Sequence, residues 1–242
     1  AIGAAADSLI AQLGDTVPAY TDSLVQLRHR YLRTQLGALS ARAAMLGGRR
    51  FTFDEEAKAL YDVTPPTLSD AHFDSLVSRL DALIPGPGSL ASRYQRFRDG
   101  AMIPAGRVDT VFKVAIAACR ARTLAHLPLP AAERFDLEYV KGTSWNAYNW
   151  YKGEYHSLIQ VNLDFPIPVD RAVDLACHEG YPGHHVYNAR LEEALVRGRG
   201  WVEMSVYPLF SPQSLIAEGS ANYGIEMAFP GEARTAFERD SL

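Results

Sequence analysis

The residues best suited to chemistry lie together. His178-Glu179-Gly180-Tyr181-Pro182-Gly183-His184-His185 holds three of the chain's seven histidines and one carboxylate in eight consecutive positions. Imidazoles bind zinc through a ring nitrogen, and a carboxylate beside the first of them is placed to take a proton from water that the metal has acidified. A hydrolytic zinc site is the chemistry these residue types point to. Cys177, directly before His178, is a poor candidate for the same ion, because neighbours on a helix point about 100° apart.

The spacing is unusual. In the common His-Glu-x-x-His arrangement the imidazoles are four residues apart and share one helix face. Here His178 is six residues from His184 and seven from His185. On a straight helix the sixth residue points well away from the first, and the seventh faces the same way but lies ~10 Å along the axis. Neither pair closes on one ion without a break. Pro182-Gly183 supplies one: proline removes a backbone donor and clashes with the preceding turn, glycine tolerates unusual angles, and a kink or bulge there brings the later histidine round. His184 is the preferred second ligand, because a bulge absorbs two extra residues more easily than three. His185 is the alternative.

The stretch resembles the His-Glu-x-x-Pro-Gly-His-His signature of a bacterial domain-of-unknown-function family, number 885, grouped with the gluzincin-type zinc peptidases. Gluzincins take a third ligand from a glutamate on a following helix. The segment from Ser211 to Tyr223 contains Glu218-Gly219, which is similar to the Glu-Gly pair of that family's second motif. The two motifs together span about a sixth of the chain. The resemblance implies a mostly helical, gluzincin-like zinc hydrolase with Zn²⁺ held by His178, His184 and Glu218, Glu179 as general base, and a peptide as substrate. The local chemistry serves a small amide or ester as well. Tyr151, Tyr181, Tyr223 and His156 are the candidates for stabilising the oxyanion. Asp174, one turn before His178, is placed to accept the proton on that ring's other nitrogen, and Asn222, one turn after Glu218, is placed to support a ligand histidine.

Composition bounds the rest. The chain has 242 residues, 48% hydrophobic and 21% charged, with a net charge of −4. That is ordinary for a globular protein and gives no basic footprint for nucleic acid. Two cysteines, Cys119 and Cys177, are too few for a disulfide scaffold and read as buried thiols. No apolar run reaches the ~18 residues of a membrane span. Ala1 to Ala6 lacks a basic leader, so it is not an intact signal peptide; a cytoplasmic location is favoured, with export the alternative if the true N-terminus lies upstream. The sequence begins without Met and stops soon after the second motif, which reads as a processed or partial chain.

Helical periodicity dominates the first half. A long helix is expected from about Ala19 to Leu46, ended by Gly47-Gly48, with Tyr20, Leu24, Leu27 and Tyr31 on one buried face and Val25, Leu32, Leu36, Leu39 and Leu46 on another. Asp54 is expected to cap a short helix. Ser69 or Asp70 opens another, and a further helix runs from about Arg107 to His126. After Pro130 the pattern alternates. Phe135 to Val140, Trp145 to Tyr155 and Ile159 to Leu163 read as a small antiparallel sheet with a turn at Lys152-Gly153. Asn146, Tyr148, Asn149 and Tyr151, with Tyr181, are candidates for lining a cleft in which an extended peptide pairs with a strand edge.

Pro168 opens the helix leading to His178. Ser211 and Pro212 begin the one carrying Glu218, whose Leu215, Ile216, Tyr223 and Met227 suit a buried helix. The expected organisation is therefore α+β: a helical region over 1–132, then a small sheet and the metal-site helices over 133–242, as one continuous unit. The competing reading is a non-catalytic helical binding module with a structural histidine cluster or metal site. Glu179 weighs against it, since a structural site has no use for the base.

Overall fold

The computed structural model describes residues 1–17 and 22–242. The helices are α1 (Ile2–Leu13), α2 (Ser23–Leu46), α3 (Phe53–Tyr61), α4 (Asp70–Leu83), α5 (Leu90–Asp99) and α6 (Val108–Leu124). Strands β1 (Arg134–Val140), β2 (Ala147–Gly153) and β3 (His156–Asn162) follow, then α7 (Val169–Leu175), α8 (His184–Leu191), α9 (Pro212–Ala228) and α10 (Ala233–Ser241). The architecture is α+β, mostly helical with one small sheet. Among the described residues no helix is long and apolar enough to cross a membrane.

Two compact units are present. One comprises 1–67 with 206–217, the other 68–205 with 218–242. The expected boundary near 132 therefore falls inside the second unit. In the first unit α2 begins at Ser23, behind an Asp22 cap that accepts from the Leu24 amide. The predicted start at Ala19 and the stripe residue Tyr20 lie outside the described residues. The predicted buried stripes are a correction: Leu24, Val25, Leu27, Leu39 and Leu46 are exposed, and α2 buries only His29 and Ala38. Periodicity reports that a face is apolar, not that another element covers it. The cap of α3 is Thr52 rather than Asp54, in a capping box with Glu55.

The second unit holds the main core. Phe112, Ala115 and Cys119 of α6 pack with Val161 of β3, Ala172 and Val173 of α7, and Cys177 and Tyr181 just beyond it. The sheet order is β1-β3-β2, with β2 antiparallel and β1 parallel to β3. The all-antiparallel expectation is thus corrected. Glu154 and Tyr155, both at positive φ, form the two-residue turn that makes β2 and β3 a hairpin, in place of the expected Lys152-Gly153. That leaves β1 the far edge of β3, which the connection from β1 to β2 reaches only in the parallel sense. Glu192 holds the turn, accepting from the amides of Glu154 (3.2 Å) and Tyr155 (3.4 Å), the Tyr151 hydroxyl and Arg197.

Helix α9 also departs from expectation. Ser211 caps it as predicted, its hydroxyl accepting from the Ser214 amide at 3.2 Å. But Leu215, Ile216, Tyr223 and Met227 are exposed, and beyond Gln213 and Ser214 in the first turn the buried positions are the small ones, Ala217, Ala221, Gly224 and Ala228. Small residues let a helix backbone approach its neighbour closely. A Cβ added at Gly224 would sit 3.1 Å from the ring of Pro182.

Candidate metal centre

Helix α7 ends in a wide turn over Ala176–Gly180 with π-type geometry. The Tyr181 amide donates to Ala176 O at 3.3 Å, five residues back, and the Gly183 amide to Cys177 O at 2.9 Å, six back. Pro182, joined to Tyr181 by a cis peptide, contributes no amide. Helix α8 then restarts, with the Tyr187 amide donating to Gly183 O. This widening carries His184 back over His178: their ring centroids are 4.7 Å apart and the planes nearly perpendicular, at 85°. Gly183 is the residue that permits it, because a Cβ there would fall 1.8 Å from His178 O.

Closely packed on Pro182, α9 supplies the third group. The Glu218 carboxylate lies 3.3 Å from His178 Nε2 through one oxygen and 3.3 Å from His184 Nε2 through the other. One ligand atom from each of the three residues falls within 4.8 Å of the others. The Glu218 side chain is half exposed rather than buried among apolar neighbours as expected, so the site opens to solvent. Hydrogen bonds from His178 and His184 hold the Glu218 carboxyl well below the usual carboxylate range. Burial pushes the His178 imidazole down, but Glu218 and Glu179 outweigh it and leave it raised.

The second nitrogen of His178, Nδ1, is 3.2 Å from Asn222 Oδ1, one turn beyond Glu218 on α9. An amide oxygen can only accept, so Nδ1 donates to Asn222, and Nε2, which donates to Glu218 here, is the nitrogen that could bind an ion on giving up that proton. Asp174 does not take this role. It pairs with Arg234 at 2.8 Å and Arg171 at 3.8 Å, because its position on α7 faces α10.

Glu179 is buried, and burial pushes its carboxyl up, opposed by the two nearby imidazoles. Its backbone carbonyl accepts from Asn149 Nδ2 at 2.7 Å, which ties β2 to the turn. Asn149 Oδ1 is buried and has no hydrogen-bond partner among the described residues. Tyr148, the preceding residue, is half-buried and stacks between Trp145 and Trp150 at 5.9 and 4.5 Å. Burial, then the charges of Glu179 and Glu218, raise its phenol.

The other candidates go elsewhere. His185 is fully buried, with Nδ1 2.8 Å from Ser157 Oγ and Nε2 2.9 Å from Glu133 Oε2, so neither nitrogen is left for a metal. Tyr181 is buried behind the turn and donates to Glu133 at 2.6 Å. Tyr151 donates to Glu192, and His156 pairs with Asp136 at 2.9 Å on the sheet face opposite Ser157. Tyr223 is 67% exposed and, five residues past Glu218, is turned ~140° round the helix from it. Asn146 is exposed ahead of β2, where its carbonyl accepts from the Asn162 amide at 2.8 Å.

Sequence reasoning missed Glu133. Its side chain is 3% exposed and gathers Tyr181, His185 and Arg120 behind the turn. Nothing in its local sequence marks it, since its partners are 48 and 52 residues away along the chain on one side.

No family model and no curated protein matches the chain. Among solved structures, it resembles the crystal structure of the "putative lipoprotein" from Colwellia psychrerythraea, with a TM-score of 0.53 and 15% identity. The likeness covers 97% of this chain and 47% of that one, so the chain spans about half its length. At that identity the similarity is one of fold alone.

Proposed function

We propose that the chain is a zinc-dependent hydrolase with a gluzincin-like site, and that it acts as a metallopeptidase. His178, His184 and Glu218 would hold the ion and Glu179 would be the general base. The observation that carries this reading is the convergence of two imidazoles and a carboxylate, one ligand atom from each within 4.8 Å of the others, beside a buried glutamate. Two nitrogens and an oxygen suit zinc, and the Asn222 contact fixes the His178 tautomer that binding requires. When bound, zinc supplies Lewis acidity toward a carbonyl and makes a nearby water more acidic.

The protein's own groups account for the remaining steps. Glu179 accepts a proton from the attacking water and returns it to the departing amine. Its raised pKa makes it the stronger base once ionised. Tyr148, kept protonated, is a donor for a carbonyl oxygen as that atom gains charge. Strand β2 is an edge strand. The Asn162 amide's bond to Asn146 O sets the alternation, so the backbone groups of Ala147 and Asn149 face the free edge and suit an extended peptide. A small amide or ester would use the same groups.

The test is metal analysis joined to one variant. The purified chain should hold one zinc, and chelation should stop hydrolysis of a peptide library. Glu179→Gln should keep the zinc and lose about 10²–10⁴-fold in turnover. Protein that takes up no zinc, or a Glu179→Gln variant with near wild-type turnover, would refute the reading.

A further inference from the structure

Strand β2 carries an aromatic row on the sheet face turned away from the core. Asn149 and Tyr151 point inward, to Glu179 O and to Glu192. Tyr148 and Trp150 alternate with them and point outward. The Tyr148 ring lies 5.9 Å from that of Trp145 and 4.5 Å from that of Trp150, and Lys152 Nζ is 5.6 Å from the Trp150 ring. Trp150 is nonetheless 42% exposed. It is also held in place. Its Nε1 donates to Gln160 Oε1 at 2.8 Å, and Gln160 Nε2 donates to Glu138 Oε2 at 2.6 Å, a chain of bonds that crosses all three strands. An indole fixed from the β3 side and open on the other is ordered before a ligand arrives, so a group packing on it loses little affinity to ordering. We propose that Tyr148 and Trp150 form a subsite for an aromatic side chain of the peptide substrate. This rests on the reading of β2 as the strand that receives the peptide.

The alternation of the strand sets the geometry. Ala147 and Asn149 turn their backbone groups to the free edge. A residue of an antiparallel peptide opposite Tyr148 therefore falls in a non-hydrogen-bonded pair, where side chains stand closest, with Cβ atoms ~4.5–5.5 Å apart. Its side chain lies on the outer face beside Tyr148, and that of the residue two along lies beside Trp150. The peptide residue between them faces inward, toward the turn with Glu179. Charge selects the kind of side chain. Lys152 already stands over Trp150, so a second cation there is repelled. The charges of Glu179 and Glu218 reach Tyr148, so an acidic side chain is repelled at that end. A neutral ring meets neither penalty, and aromatic pairs gain beyond the area they bury.

Binding is measured on the full chain carrying Glu179→Gln, with Zn²⁺ present, so that the readout does not depend on turnover. The probes are end-blocked octapeptides in which every second residue is Phe, Ala, Lys or Glu and the others are Thr. The Phe peptide should bind roughly 5–10-fold more tightly than the Ala peptide, and the Lys and Glu peptides no more tightly than Ala. Trp150→Ala in the same background should bring the Phe-to-Ala ratio to within about twofold of one, and Trp150→Phe should keep most of the preference. A peptide with benzoylphenylalanine in place of Phe, on irradiation, should label the tryptic fragment 142–152. If Trp150→Ala does not fold, the Phe-to-Ala ratio and the label decide without it. Equal binding of the Phe and Ala peptides, binding of neither, a preference that survives Trp150→Ala, or a label outside that fragment would overturn the proposal. A Phe preference and a correct label, with no cleavage of any of these peptides by the wild-type chain, would leave the subsite standing and sink the hydrolase reading instead.

Discussion

Replacing Gly183 by alanine tests the geometry of the site without touching a ligand. A Cβ there would lie 1.8 Å from His178 O and 2.5 Å from Cys177 O, where real Cβ contacts under 3.0 Å essentially never occur. Both obstacles are backbone atoms, so no side-chain rotation relieves them. The turn must open by about 1 Å, and the Gly183 amide's bond to Cys177 O goes with it. Overpacking of this kind costs about 1–3 kcal/mol and a lost hydrogen bond about 1 kcal/mol. A total near 3 kcal/mol lowers Tm by roughly 6–12 °C in a chain of this size.

The functional effect should be larger. His184 follows Gly183 directly, and a misplacement of ~1 Å is worth on the order of 100-fold. Zinc affinity, read by competition with a chromophoric chelator, should fall at least that far. Gly180→Ala, in the same turn, is the matched control. Its Cβ would meet nothing closer than Ile159 Cδ1 at 4.0 Å, so affinity and Tm should stay near wild type. If Gly183→Ala kept zinc affinity within about threefold of wild type, the closeness of His184 to His178 would not depend on this turn.

Three further outcomes are expected. Asn222→Ala should weaken zinc binding ~10–100-fold without abolishing it, since it removes the partner of His178 Nδ1 but no ligand. An unchanged affinity in the same competition assay would remove that role. His184→Ala should lose zinc retention, whereas His185→Ala should retain it and lose about 2–4 kcal/mol of stability, because it opens a buried space and strips Glu133 of a partner; denaturant titration and metal analysis separate the two, and a metal-free His185→Ala would reverse the assignment. Glu192 gives a pH test. Burial pushes its carboxyl up, but Tyr151, Arg197 and the Tyr155 amide hold it below the ordinary value of 4.5. Its contribution is therefore present above that pH and is lost as pH falls through the lower folded-state value. Urea midpoints across pH 5 to 3 should fall more steeply for wild type than for Glu192→Gln, and parallel curves would contradict the clamp on the β2–β3 turn.

Much of this was legible locally. The donor types at His178, Glu179 and His184, and a break at Pro182-Gly183, follow from residue chemistry and from the rise and rotation of a helix. Ser69 and Ser211 announce their helices by the hydrogen bonds their hydroxyls make within three residues. The alternation after Pro130 marks strands, because a strand's side chains alternate whatever lies beside it. These are short-range facts.

What the chain could not state alone is which faces meet. Alternation does not say that β1 lies parallel to β3; that follows from the Glu154-Tyr155 turn placing β2 on the other edge. Periodicity does not say that α2 and α9 leave their large apolar residues exposed. The site itself is the clearest case. Glu218 reaches the two histidines, and Asn222 rather than Asp174 reaches His178, because Ala221 and Gly224 are small enough for α9 to settle on Pro182. His185 is withdrawn from the His178–His184–Glu218 cluster by Glu133, 52 residues earlier. Each of these rests on contacts between segments far apart in sequence. Their energies depend on fit across a packed surface, and tertiary structure alone decides that fit.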